Sequence, residues 1–200
     1  MASRSLVSFK TAQARSLRLL TVATDSRLRP LTYGESEPAL HAALAATVSA
    51  WEAYVESVVL ESLDEIARGG GPELVSVLLL LKAEATRAID RFNTPNAENC
   101  RELLLRFTGF DAFPVLSSHR LGLPANLARI RLNEVLKVRH SFAHGFQIPT
   151  YQWTTRYGIT NRLTKTAVRN AAWLIQDFVD SLDLRISSHL KNSFPSRVFW

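Results

Sequence analysis

A single cysteine, Cys100, is all the thiol this chain carries, so neither an internal disulfide framework nor a multi-cysteine zinc site can be built from it. That cysteine count suits a reducing cytoplasm, which is the expected compartment. Long hydrophobic runs are also missing: the apolar stretch Val77–Leu81 is far too short to cross a bilayer, and no membrane role is expected. Gly69-Gly70-Gly71 lacks a following Lys-Ser/Thr and reads as a helix stop, which excludes a phosphate-cradling loop there. There is no Gly-x-Ser-x-Gly elbow. Acidic residues are absent up to Asp25, where the chain is basic and serine-rich (Ser3, Arg4, Ser5, Lys10, Arg15, Arg18). Such a bias occurs in organelle transit peptides, but Leu6, Leu17, Leu19, Leu20 and Val22 fit the inward face of an ordinary first helix, and that reading is taken. No continuous apolar core follows, as a secretory signal would need.

What the chain does have is charge in the wrong balance along its length. Residues 1–100 hold ten Lys/Arg against twelve Asp/Glu, whereas residues 101–200 hold fourteen against six. Between Arg120 and Arg169 nine basic side chains face one acid, Glu134. A positive field of that kind draws phosphate backbones. A hydrophobic share of 46% and a charged share of 21% are those of a globular protein, and two hundred residues make one domain with a real core.

The apolar period is helical almost throughout, so the fold class is all-α, a bundle of up-and-down helices. Leu40, Leu44, Val48, Trp51, Val55, Val59, Leu63 and Ile66 mark one face of a long helix between Pro38 and the triple glycine. The segment Tyr33–Pro38 reads as a turn before it. Pro72 opens a second helix to about Phe92, and Thr94-Pro95-Asn96 breaks it and caps a third carrying Leu103, Leu104 and Phe107. A looser stretch from Asp111 to Gly122 leads to Pro124, which starts a helix ending at His144-Gly145. Pro149–Gly158 reads as a loop or short hairpin. A last long helix from about Thr164 turns Ala171, Leu174, Phe178, Leu182, Ile186 and Leu190 inward. The core spans about 38–190, and residues 192–200 are expected to fray.

One position in this pattern is out of place. In the helix that starts at Pro124 the apolar stripe runs Leu132, Val135, Arg139, Phe142, so an arginine stands where the period calls for an aliphatic side chain. An unpaired guanidinium costs several kcal/mol to desolvate, about the scale that forces pairing. Arg139 therefore meets a carboxylate, with Glu52 and Glu56 on the long early helix as the partners of choice, or it faces a groove or subunit interface that takes anions. A purely structural ion pair pinning two helices is the competing account. His144 lies about 140° around the helix from Arg139, so the two side chains flank a groove. The helix C-terminus favours positive charge and tends to raise an imidazole pKa there. A guanidinium to neutralise charge on phosphorus and an imidazole to move protons suit metal-independent cleavage of RNA. His140 and His144 stack at i and i+4, but two ligands without nearby Cys, Asp or Glu do not make a metal site, and no cofactor is expected. Cys100, beside Arg101 on a helix, reads as core.

Arg139-His140-Ser141-Phe142-Ala143-His144 resembles the Arg-x4-His signature of HEPN domains, which includes the polar residue after the arginine. Ser49–Glu56 resembles the early Trp/Phe-Glu-x-Tyr segment of the RiboL-PSP and MAE groups of that family, and Asn93–Asn99 resembles their turn before the third helix. Leu132–Gly145 matches the run into the motif, and the likeness spans roughly residues 38–190. It implies a helical bundle that forms a homodimer through the motif helices, with two copies of Arg139 and His144 lining one basic cleft. The implied activity is that of a metal-independent endoribonuclease, a toxin or antiviral defence protein, with any antitoxin a separate protein. In it the 2′-hydroxyl attacks phosphorus and leaves a 2′,3′-cyclic phosphate, Arg139 stabilises the transition state, and His144 is the general acid or base. His140 would position substrate or tune His144, and Ser141 would touch phosphate. The alternatives are a catalytically silent HEPN module binding RNA, a nucleotide or a partner, and a helical DNA-binding protein.

Overall fold

The computed structural model describes residues 2–22, 25, 33–68, 70–143, 145, 147–156, 160–195 and 199–200. Helix α2 (Tyr33–Ala67) is the axis of the bundle and packs against α1 (Arg4–Val22), α3 (Pro72–Asp90), α4 (Ala97–Thr108), α5 (Ala125–Ala143) and α6 (Lys165–Ser193). Its segment Ser36–Ala67 is long and apolar enough by composition to cross a membrane, yet the apolar face is spent inside the bundle. Every member of the stripe from Leu40 to Ile66 is buried. The stripe of α6 meets it, with Leu174, Phe178 and Leu182 fully enclosed and Trp51 edge-on to Phe178. Deep burial of side chains of this size contributes about 1.5–3 kcal/mol each, and these two faces form the core.

Local signals set the ends. Asn96 caps α4 by accepting a hydrogen bond from the Asn99 N–H (2.7 Å), and Gly109 ends it at φ +68°. Thr164 caps α6 by accepting from the Ala167 N–H (3.1 Å). Gly145 takes φ +67° just beyond α5, as the stop signal requires. The segment from Asp111 to Gly122 holds a 3-10 turn (Phe113–Val115), and the expected hairpin is present as β1 (Thr155–Arg156) paired antiparallel with β2 (Thr160–Asn161).

Four expectations change. The long helix starts at Tyr33, so the segment that reads as a turn forms its first turns and Pro38 lies inside it, where it removes one backbone hydrogen bond from a helix held by burial. On α1, Leu19 and Val22 point to solvent, while Phe9, Gln13 and Ser16 face inward with Leu6 and Leu20. Gln13 donates to the Ala172 carbonyl (2.8 Å), and Ser16 hydrogen-bonds with the Thr47 hydroxyl, so these polar groups are buried with partners. Of the segment expected to fray, Phe199 and Trp200 are buried, and the Ser187 hydroxyl donates to the Trp200 carbonyl. Phe142, finally, is exposed, and stacks on the buried ring of His41 at 4.1 Å.

Candidate functional site

The buried face of α5 is Ala128, Leu132, Val135 and Val138, which pack on α2, α4 and α6. Arg139 lies at the edge of that face, between the buried Val138 and Ser141, and is only half-buried. It opens into a groove of about 890 Å³. One wall is the end of α5, with Asn133, Lys137, His140 and Ser141; the other is the α3–α4 turn, with Thr94, Pro95 and Asn96; Gln147 and Pro149 close the end.

The walls are held from within the core. The indole N–H of Trp51, fully buried on α2, donates to the Pro95 carbonyl (2.9 Å) and so pins the turn. Asn133 on α5 accepts from the Ala97 N–H and donates to the Glu98 carboxylate, both at 2.9 Å. These two side chains fix how far the turn stands from Arg139. The far end is set by the loop after α5: Asn161 donates to the Ile148 carbonyl (3.0 Å) and Thr154 to the Pro149 carbonyl (3.0 Å). Glu134, the lone acid of the basic stretch, is engaged elsewhere, accepting from Trp153 (2.9 Å) and Arg131 (3.0 Å).

Of the two carboxylates expected as partners of Arg139, only Glu52 is close enough for the Arg139 charge to act on its ionisation. Burial raises the Glu52 pKa, and the Arg139 charge pulls it partway back. Glu56 is raised by burial and then by the negative charge of Glu52, with no contribution from Arg139. Among the described residues no carboxylate lies within ion-pair distance of Arg139. The guanidinium thus senses a counter-charge without being saturated by it, and its donors remain available to an anion in the groove.

His140 is exposed on the groove wall and Lys137 beside it is exposed as well. Ser141 is buried, and its hydroxyl donates to the Val138 carbonyl (2.8 Å). That bond uses its proton on the helix's own backbone and leaves only oxygen lone pairs. His144 lies outside the described residues. Sequence reasoning passes over Asn133, Lys137 and Gln147; single polar residues on a helix flank give no periodic signal. Trp51 reads in the sequence as part of a core stripe and Thr94-Pro95-Asn96 as a helix break, but the hydrogen bond that joins them is not visible there.

Cys100 is fully buried, and burial pushes its thiol well above the usual range, in keeping with a core role. Among the described residues no group of three His, Cys, Asp or Glu side chains is arranged to hold a metal ion. The family profile described as RiboL-PSP-HEPN matches residues 15–188. No curated protein and no solved structure matches the chain.

Proposed function

This chain belongs to the RiboL-PSP-HEPN family, and from that premise we propose that it is a metal-independent endoribonuclease acting as a toxin or antiviral defence protein in the cytoplasm. The observation that carries the reading is Arg139, half-buried and lining the groove, with no carboxylate in ion-pair range among the described residues and with the exposed Lys137 and His140 beside it. That is the arrangement needed to receive a phosphodiester. In the reaction the ribose O2′–P bond forms and the P–O5′ bond breaks, giving a 2′,3′-cyclic phosphate and a 5′-hydroxyl. Arg139 donates to the non-bridging oxygens, where charge accumulates as phosphorus becomes five-coordinate. His144 moves the proton, either from the attacking hydroxyl or to the leaving oxygen.

One imidazole cannot do both jobs at once, and a homodimer through α5 would supply the second. Leu127, Ile130 and Phe142 on that helix are exposed apolar side chains, which supports a partner surface there. Glu52 acts from behind by orienting Arg139, and His140 holds substrate. An antitoxin, where one exists, is a separate chain. The test is cleavage of total RNA by purified protein in excess EDTA, beside Arg139→Ala and His144→Ala. Cleavage by the wild type alone is expected. RNA binding without cleavage would instead favour a silent binding module, and cleavage surviving in both variants would sink the site.

A further inference from the structure

We propose that a second groove, between α3 and α4, is a binding subsite for single-stranded RNA flanking the scissile phosphate. It encloses about 480 Å³ and is lined by Arg87, Arg91, Phe92, Asn93 and Arg106. Asn93 also lines the groove that holds Arg139. The two depressions therefore adjoin at Asn93, on the turn that Trp51 pins from inside. A strand seated on Arg139 has a path over that turn and into the second groove.

The lining has the two components that sequence-tolerant recognition of single strands uses, cations for phosphates and an aromatic face for a base. Arg91, at the C-cap of α3, is exposed and has no ion-pair partner among the described residues. Arg106 and Arg87 share the Glu84 carboxylate at 3.0 and 3.6 Å. Both pairs are solvent-exposed, and such pairs are held weakly enough for a phosphate to replace the carboxylate. Glu102 also lines the groove, so three guanidiniums stand against two carboxylates. Phe92 is half-buried, fixed against the core and still part of the groove lining.

This subsite rests on the reading of the protein as an RNA-acting enzyme, but binding and cutting can be measured apart. The probe is a fluorescent twelve-nucleotide oligouridylate, titrated by anisotropy at several salt concentrations into full-length Arg139→Ala protein, with and without Arg87→Ala plus Arg91→Ala. Affinity is expected to fall about 10-fold, and the slope of log affinity against log salt to shrink by about 1.4, roughly 0.7 for each phosphate that is no longer neutralised. Phe92→Leu is expected to weaken binding and leave that slope unchanged. Both arginines are exposed, so circular dichroism should show a native fold. Equal affinity and slope in the presence and absence of the arginine pair would overturn the subsite, as would a failure of every form to bind RNA. Wild-type cleavage alongside unaltered binding by the double variant would remove the subsite and leave the enzyme reading intact. Arginine-dependent binding of RNA that is never cut would establish the subsite and remove the cleavage reading.

Discussion

Removing Glu61 should destabilise the protein far more than its place at the edge of the core suggests, because it carries the start of α1. Every helix leaves its first four N–H groups without partners, and here each one is met. The Ser3 N–H donates to Asp183 (3.3 Å), those of Arg4 and Ser5 donate to Glu61 (2.9 Å each), and that of Leu6 donates to the Ser3 hydroxyl oxygen (2.9 Å). The Ser5 hydroxyl reinforces this pattern by donating to Glu61 at 2.6 Å. Glu61 and Asp183 are both buried and belong to α2 and α6, so the two core helices together anchor α1. In Glu61→Ala three well-aligned donors lose a charged acceptor. Bonds to a charged group are worth about 1.5–3 kcal/mol each, and neighbours are not additive, so a loss of about 3–4 kcal/mol is expected at pH 7.

The pH dependence checks the cause. Burial pushes the Glu61 carboxyl up, but hydrogen bonds from Ser5 and Arg4 outweigh it, and the net shift is downward. A depressed carboxylate stabilises the fold above its unfolded pKa, and that contribution disappears as pH falls through the folded value. The gap between wild type and Glu61→Ala in urea unfolding should therefore be widest near neutrality and narrow in acid, below the ordinary glutamate range. Asp183 behaves oppositely: burial raises its pKa, so its contribution falls as pH rises through the raised value. A gap under about 1 kcal/mol at pH 7, or one that stays constant into acid, would refute the anchoring account.

Trp51→Phe should cost about 2–4 kcal/mol in unfolding free energy, since it strips the Pro95 carbonyl of its donor and leaves a small void. It should also weaken RNA binding, because the groove wall loses its pin; a variant with wild-type affinity would break that link. Asn96→Ala removes the α4 cap and should lower stability by about 1 kcal/mol, readable as a shift in urea midpoint. A methyl group at Gly109 would meet the His189 ring at an ordinary contact distance of 4.0 Å, so the cost of Gly109→Ala, about 1–2 kcal/mol, should come from the left-handed backbone. Cys100 should resist a thiol reagent in the native state and react in denaturant; fast native labelling would contradict its burial and raised pKa.

The parts of the fold that can be read in the sequence are those written in apolar periodicity and turn chemistry. The stripes of α2 and α6, the cap at Asn96 and the stop at Gly145 are of this kind. The parts that mislead depend on partners far along the chain. Gln13 and Ser16 face inward because Ala172 and Thr47 satisfy them, and a polar residue with a distant partner looks like a surface residue in sequence. Phe199 and Trp200 lie beyond any periodic segment, yet Ser187 and Phe194 receive them. His41, an isolated histidine in the sequence, is buried under Phe142, and burial lowers its pKa. At the candidate site, Arg139 stands out because it breaks a pattern. Its groove is not visible in the sequence, because Asn133, Trp51 and the α3–α4 turn meet only in three dimensions.

The central claim is that Arg139 serves in-line attack by a ribose 2′-hydroxyl. The most direct measurement is end-group analysis of a defined oligoribonucleotide cut in EDTA, compared with the same oligonucleotide carrying a single 2′-deoxy residue at the cut site. The account predicts 2′,3′-cyclic phosphate and 5′-hydroxyl ends, no cutting at the deoxy position, and no cutting by Arg139→Ala. Cutting that persists at the deoxy position, or that leaves 5′-phosphate ends, would contradict it.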